Sequence, residues 1–236
     1  MVQDSKKLVR RLAELVGLQI SGKQRLGIDL WNDLRRLDLN PTTIFDVGAN
    51  VGQWAEDCRR ELPEAAIHSF EPEPTAYLSL VHKFRSDRLH FAHPIAISKN
   101  SGKSSLRIST SSTMHSLEPS FQNRQLATID VETQTIDQML HALDIPTIHL
   151  LKIDVEGHEM ACLEGTSAAL VDRRIDSILV EVGFAGGYHT KFCSIEAYLY
   201  PLGLRFLSLY DVVPQNKKPE VYYANALFVR EGVGFT

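Results

Sequence analysis

A chain of 236 residues with 44% hydrophobic and 23% charged content can bury one sizeable core, and its make-up is that of a globular domain with an appendage. Its net charge of −4 gives no sign of the basic stripe that marks a nucleic-acid binder. Cys58, Cys162 and Cys193 form no C-x-x-C pair, which argues against a disulfide framework or zinc knuckle and for a reducing compartment.

Residues 1–40 read as a helical extension, and 41–236 as the main domain. "SKKLVRRLAELVGL" sets Leu8, Leu12, Leu15 and Val16 at helical spacing among Lys6, Lys7, Arg10 and Arg11. A second helical pattern in "RLGIDLWNDLRRLDL" ends before Asn40-Pro41, which breaks the chain. Such a basic amphipathic start can lie on a membrane surface but more often packs on its own domain or on a second subunit, so residues 1–40 are where a homodimer contact is expected. No apolar run is long enough to span a membrane and no signal peptide is visible, so the expected location is cytoplasmic.

From residue 41 strands and helices alternate, which predicts α/β architecture around a parallel sheet. Strands are expected at Thr43–Val47, Ala66–Phe70, Leu89–Ile97, Ile148–Asp154, Ser177–Val182 and Arg205–Leu209. The predicted helices are Val51–Glu61, Thr75–Arg85, Ile136–Leu143, Glu159–Val171 and Ser194–Tyr200. Two extra strands, near Ser104–Ile108 and Ile129–Thr135, make a small β insertion. Tyr222–Val229 follows Arg205–Leu209 through a polar turn too short for a helix, which predicts an antiparallel hairpin.

The stretch "TTIFDVGANVGQWAED", 42–57, runs an apolar strand into glycines and then a helix. A P-loop would need G-x-x-x-x-G-K-[ST], and the lysine is absent. A dinucleotide fold needs G-x-G-x-x-G, and Asn50 stands where its middle glycine would approach a pyrophosphate. Asp46-x-Gly48-x-x-x-Gly52 suits instead a nucleoside without phosphates that carries an amino-acid tail, as S-adenosylmethionine does. An acid should then reach the ribose from the tip of the second strand, and Glu71 stands there, nineteen residues after Gly52. The competing reading is that the glycines pack helix on strand and Glu71 is a solvated loop acid.

"FDVGANVGQW" (45–54), "FEPEP" (70–74) and above all "IHLLKIDVEGHEMACLEG" (148–165) resemble the FkbM family of S-adenosylmethionine-dependent methyltransferases, over roughly residues 43–230. The resemblance implies a Rossmann-like class I methyltransferase fold, with a seven-stranded sheet of order 3-2-1-4-5-7-6 and an antiparallel last strand. It implies O-methylation of a hydroxyl on a sugar, glycolipid or polyketide-type secondary metabolite. By position it assigns Asp46, Gly48, Asn50 and Gly52 to the cofactor, with Glu71 on the ribose and Pro72, Ala96 and Ile97 around the adenine; Trp54, on the following helix, would face the cofactor or the acceptor or pack into the core. His115, Ser116, Tyr188 and His189 are implied acceptor contacts.

In "LLKIDVEGHE" an extended chain would send Lys152, Asp154 and Glu156 to one side of the sheet, at the end where open α/β folds bind ligands. Methyl transfer needs an aligned acceptor oxygen and a group that takes its proton. Asp154 is the leading candidate for the base or for the group that orients the acceptor, followed by Glu156 and His158, with His189 in the glycine-rich loop after the fifth strand a less favoured candidate. Lys152 would pair the carboxylates, and Glu181 would face the same cleft from the fifth strand. Asp154, Glu156 and Glu181 are also a ligand set for a hard cation such as Mg²⁺. Two rivals stand beside this reading: a nicotinamide-dependent oxidoreductase, disfavoured by the glycine spacing, and a noncatalytic scaffold, disfavoured by the intact acids.

Overall fold

The computed structural model describes residues 26–109, 117, 125–184, 187, 189–215 and 220–233, the side chains of 109, 125 and 126 excepted. In chain order the elements are α1 (Leu30–Arg36), β1 (Thr43–Val47), α2 (Gln53–Glu61), β2 (Ala66–Phe70), α3 (Pro74–Lys83), β3 (His90–His93), β4 (Ala96–Ile97), β5 (Gly102–Ser109) and β6 (Gln125–Gln134). There follow α4 (Ile136–Ala142), β7 (Leu150–Ile153), α5 (Glu159–Glu164), α6 (Ser167–Val171), β8 (Ser177–Gly183), α7 (Phe192–Leu199), β9 (Leu204–Pro214) and β10 (Val221–Arg230).

Continuous apolar runs give strands buried on both faces, as a central parallel sheet requires. Side chains alternate: Phe45, Leu151, Ile153, Ile178, Val180 and Phe228 enter one core with α4, α5, α6 and α7. Ile44, Leu150, Leu179, Leu227 and Val229 enter the other core, where α1 and α2 pack with Leu34, Ala55 and Cys58. The seven-stranded sheet has the order β3-β2-β1-β7-β8-β10-β9, and β10 runs antiparallel to both β8 and β9. This is the expected 3-2-1-4-5-7-6 arrangement with its antiparallel hairpin. The insertion forms a separate three-stranded sheet, β4-β6-β5.

Three predicted boundaries move for physical reasons. The single strand expected at Leu89–Ile97 is two: β3 stops before Pro94, which cannot donate to a ladder, and β4 joins the small sheet. The helix expected over Glu159–Val171 breaks at Gly165, where a Cβ would lie 2.1 Å from the Ser98 carbonyl oxygen. In α2 the helix begins after Gly52, whose φ of +80° is left-handed. Of the N-terminal extension, the described part packs on its own domain. Its buried Asp33 accepts from the Tyr210 hydroxyl at 3.0 Å, and Leu30, Leu34 and Leu39 join the α1–α2 core. No helix among the described residues is long and apolar enough to cross a membrane.

Candidate active site

The turn after β1 contains three left-handed residues in five: Gly48 at φ +82°, Asn50 at +51° and Gly52 at +80°. Glycine adopts this region without strain, and asparagine is among the few side chains that tolerate it. The turn is tied to β2, because Gly48 N–H and Ala49 N–H both donate to the Phe70 carbonyl, at 3.0 and 3.1 Å. What the glycines approach is largely protein. A Cβ on Gly48 would lie 1.9 Å from the Asp154 carbonyl oxygen, and one on Gly52 would strike Leu80 and Phe84 of the α3 region. Gly52 lines neither cavity described below and lies against Leu80 and Phe84.

Beside this turn, Glu71 is buried and held by two backbone donors: Asn50 N–H to Oε2 and Glu73 N–H to Oε1, each at 2.8 Å. Burial raises its pKa to about 7, against the opposing pull of the Glu73 and Asn50 hydrogen bonds. Glu71, Pro72, Ala96 and Ile97 line a cleft of about 550 Å³, together with Phe70, Val155 and His158. Leu106 and Leu117, from the insertion, complete its apolar wall.

A second cavity of about 1150 Å³ lies next to it, lined by Gln53, Trp54, Lys152, Glu181, His189, Tyr223 and Asn225. Gly48, Asn50, Asp154 and Glu156 line both, so the two spaces meet at these four residues.

Register builds the second cavity's floor. Asp46 on β1 sits beside Lys152 on β7, and Glu181 on β8 beside Asn225 on β10. The buried Lys152 ammonium donates to Asp154 Oδ2 at 3.1 Å and lies 3.5 Å from Asp46 Oδ1. Burial alone would lower the Lys152 pKa, but the charges of Asp154 and Asp46 raise it overall, so it stays a cation. Asp46 is fully buried and lines neither cavity, and the charged group nearest its carboxylate is the Lys152 ammonium. Burial pushes its pKa up, and Lys152 opposes that shift. Trp54 lines the wider cavity, with its ring 5.6 Å from that of Trp31 and 5.5 Å from the Lys152 ammonium.

The chain beyond β7 is not extended: Glu156 has φ +55° and Gly157 +98°. Lys152, Asp154 and Glu156 still share the wider cavity, but this turn carries His158 away to the cleft, where Nε2 meets the Ser98 hydroxyl at 3.0 Å. Glu159, fully buried, accepts from Gly157 N–H at 2.8 Å through Oε1 and from the Thr190 hydroxyl at 2.5 Å through Oε2. It thus joins the loop after β7 to the loop after β8.

That second loop is pinned back on its strand by Gly183 N–H to the Thr190 carbonyl, 2.8 Å, and Phe184 N–H to the Tyr222 carbonyl, 3.0 Å. A Cβ at Gly183 would lie 2.9 Å from the His189 Cβ, so glycine is what lets His189 fold over the strand end. His189 Nδ1 then meets Glu181 Oε2 at 3.0 Å, and its ring lies 4.6 Å from that of Tyr223. Burial would lower the His189 pKa, but the Glu181 hydrogen bond and charge outweigh it and raise the value. For a metal, the atoms that converge are those of Glu156, Glu181 and His189, within 4.8 Å of one another. The expected set of Asp154, Glu156 and Glu181 differs because Asp154 is turned to Lys152. His115, Ser116 and Tyr188 lie outside the described residues.

Ser98, Gln53, Leu106, Leu117, Tyr223 and Asn225 were not anticipated. A polar Asn225 inside the apolar run "ANALFVR" is a visible signal; the others carry none.

Residues 46–206 match the methyltransferase FkbM domain. The chain belongs to the FkbM methyltransferase family. Hexuronic acid methyltransferase AglP of Haloferax volcanii is 29% identical over 146 residues, covering 59% of this chain and 55% of that relative. Methyltransferase 1 of Beauveria bassiana is 26% identical over 162 residues, covering 59% of this chain and 64% of the relative. The chain therefore spans between 55% and 64% of the length of these curated relatives. Among solved structures, Aeropyrum pernix fibrillarin with natively bound S-adenosyl-L-methionine aligns at a TM-score of 0.46 and 12% identity, over 83% of this chain and 68% of that one. For an FkbM domain, the strand-tip acids Glu71, Asp154 and Glu181 are the groups to explain.

Proposed function

We propose that this FkbM-family protein is an S-adenosylmethionine-dependent O-methyltransferase acting on a hydroxyl of a sugar or similar polyhydroxylated small molecule. The observation that carries the reading is the junction: a largely apolar cleft with one buried acid opens into an acid-lined cavity at Asn50, Asp154 and Glu156.

The cleft fits the cofactor. Phe70, Pro72, Ile97 and Leu106 would flank an adenine, and Glu71, held from behind by backbone N–H groups, would accept from the ribose hydroxyls. When bound, S-adenosylmethionine supplies a methyl group already activated on a sulfonium. Asn50 and Asp154 would face the methionyl end.

The protein's remaining tasks are alignment and proton removal. Oriented attack reaches effective molarities of ~10⁵ M or more, so a fixed acceptor pocket supplies much of the acceleration. Gln53, Asn50 and Asn225 offer amide donors and acceptors there, and Trp54 and Tyr223 offer flat apolar surface, which together suit a sugar. The hexuronic acid named for the Haloferax relative is the same chemical class. A divalent cation such as Mg²⁺ would be held by Glu156, Glu181 and His189 and would lower the pKa of a hydroxyl it coordinates.

Thermal unfolding with S-adenosylhomocysteine tests the reading. A ligand at 100 times its Kd stabilises the native state by ~2.7 kcal/mol, so a rise in Tm is expected with this compound and none with NAD. No shift at millimolar S-adenosylhomocysteine overturns it, and a shift with NAD alone would favour the oxidoreductase.

A further inference from the structure

We infer that Asp46 is a positioning residue for the cofactor's amino-acid tail: it receives the Lys152 ammonium when the tail's α-ammonium takes the Asp154 carboxylate. The inference rests on the methyl-transfer reading above and deepens one end of that site.

Asp46 is fully buried, yet neither of its carboxylate oxygens accepts a hydrogen bond from any described residue. A buried carboxylate in that state is costly, and native proteins keep few of them. Its nearest cation is Lys152, and 3.5 Å from Nζ to Oδ1 is an ion-pair distance, beyond the ~2.7–3.2 Å of a formed N–H···O bond. The same ammonium donates to Asp154 Oδ2 at 3.1 Å. One lysine is thus divided between two carboxylates and bonded to only one of them. Burial pushes the Asp46 carboxyl towards its neutral form and the Lys152 charge opposes this, so Asp46 is stabilised by any closer approach of Nζ.

In this group the lysine is the mobile part. Asp46 lies within β1, beside Lys152 in register. Asp154 is tied to the same strand by its N–H, which donates to the Val47 carbonyl at 3.0 Å. Between these fixed points Lys152 carries its charge on a flexible four-carbon stem. The Trp54 ring lies 5.5 Å from Nζ, and Glu181 adds a weaker negative field from β8.

The two acids differ in reach. The Asp46 side chain has no exposed surface, whereas that of Asp154 is 34% exposed and lines both cavities where they meet. A cation entering from the cleft therefore meets Asp154 and not Asp46. Two carboxylates and one lysine leave one negative charge unmatched, and a second ammonium makes the set neutral. A sugar hydroxyl brings no such charge; the amino-acid tail does. Without Asp46, the arriving ammonium would compete with Lys152 for a single carboxylate. With it, each cation has a carboxylate of its own.

Calorimetric titration with S-adenosylhomocysteine and with 5′-S-(3-carboxypropyl)-5′-thioadenosine, which lacks only the amino group, gives the test. The wild type should prefer S-adenosylhomocysteine by ~10–100-fold, as a hydrogen bond between charged groups provides. Asp154→Asn should abolish the preference by weakening S-adenosylhomocysteine alone. Asp46→Asn should remove most of it, with the analogue bound as by the wild type. Asp46→Asn/Lys152→Met deletes the buried pair together and so spares the fold an unpaired charge. In that variant the preference should return, because nothing then competes for Asp154.

A purely structural Asp46 predicts equal weakening of both ligands and no recovery in the double variant. Either result, or an unchanged preference in Asp46→Asn, overturns the inference. A crystal structure of the S-adenosylhomocysteine complex reads the movement itself, with Nζ expected ~2.7–2.9 Å from an Asp46 oxygen. Nζ still 3.5 Å away, or a water bonded to Asp46 in its place, overturns it too. Failure of S-adenosylhomocysteine to bind the wild type would overturn the methyltransferase reading, whereas binding with no preference over the analogue overturns only the role given to Asp46.

Discussion

The cleft and the cavity hold their polar groups by different means. In the cleft, the one buried acid, Glu71, is gripped by main-chain N–H groups from a turn and from the residue two positions on. In the cavity the acids are held by side chains: Lys152 on Asp154 and His189 on Glu181. A main-chain grip is set by backbone path and survives most substitutions around it. A side-chain grip changes with each residue that makes it. The first arrangement suits a ligand that stays the same across relatives, and the second suits an acceptor that varies.

The two halves touch at Gly48, and substitution there should break both. Gly48→Ala forces a left-handed φ on a residue with a side chain, a cost of ~1–3 kcal/mol, before counting a Cβ 1.9 Å from the Asp154 carbonyl. Urea unfolding should show the largest loss of any single change proposed here, with S-adenosylhomocysteine affinity lost as well. Near-wild-type stability would mean that the β1 and β7 loops do not meet as described.

The same division decides what could be read in the sequence. Glycines, Asn50 and Glu71 are legible because they act through local backbone geometry, which spacing encodes. The strands of the main sheet are legible as apolar runs, with Pro94 the unheeded signal that splits β3 from β4. For Trp54 the spacing leaves cofactor, acceptor and core open, and only helix α2 decides, setting the ring on the wider cavity against Trp31. An extended chain past β7 is the premise for Lys152, Asp154 and Glu156, and the left-handed Glu156 and Gly157 depart from it, setting His158 beside Asp154 and Glu156 on the cleft. The cavity's other members meet only through strand register: Tyr223 pairs with Gly183 and Asn225 with Glu181 across β10 and β8. No short-range pattern announces such a pairing.

Glu159 offers a narrower way to separate the halves. Glu159→Ala leaves Gly157 N–H and the Thr190 hydroxyl without their acceptor, at ~1–3 kcal/mol for each buried group, and frees the His189 loop. Expected are a lower Tm and a kcat reduced more than ten-fold, as about 1.4 kcal/mol of lost positioning would give, with S-adenosylhomocysteine affinity nearly unchanged. Glu159→Gln can accept from Gly157 and donate to Thr190, so it should recover most of both. If it recovers stability but not turnover, the charge of Glu159 matters to the cavity and not only its reach.

The smallest expected effect is one of pH, and it isolates the cleft. Glu71 is raised by burial from the ordinary 4.5 to about 7, partly opposed by its two backbone donors and reinforced by the charges of Glu73 and Asp46. A raised folded-state value means that the ligand-free fold binds more protons than the unfolded chain between these values. The contribution of Glu71 to ligand-free stability is therefore complete below pH 4.5 and is lost as pH rises through about 7. Acceptance from ribose hydroxyls runs the other way, because it favours the ionised carboxylate. S-adenosylhomocysteine binding should release a proton and weaken by up to about ten-fold per unit as pH falls below that value. Calorimetric titrations in buffers of different ionisation enthalpy between pH 5.5 and 8 read this directly. In Glu71→Gln the proton release should vanish and the affinity should flatten, while the turnover profile set by the far cavity keeps its shape. An affinity that strengthens on acidification would place the ribose elsewhere and detach the cleft from the cofactor.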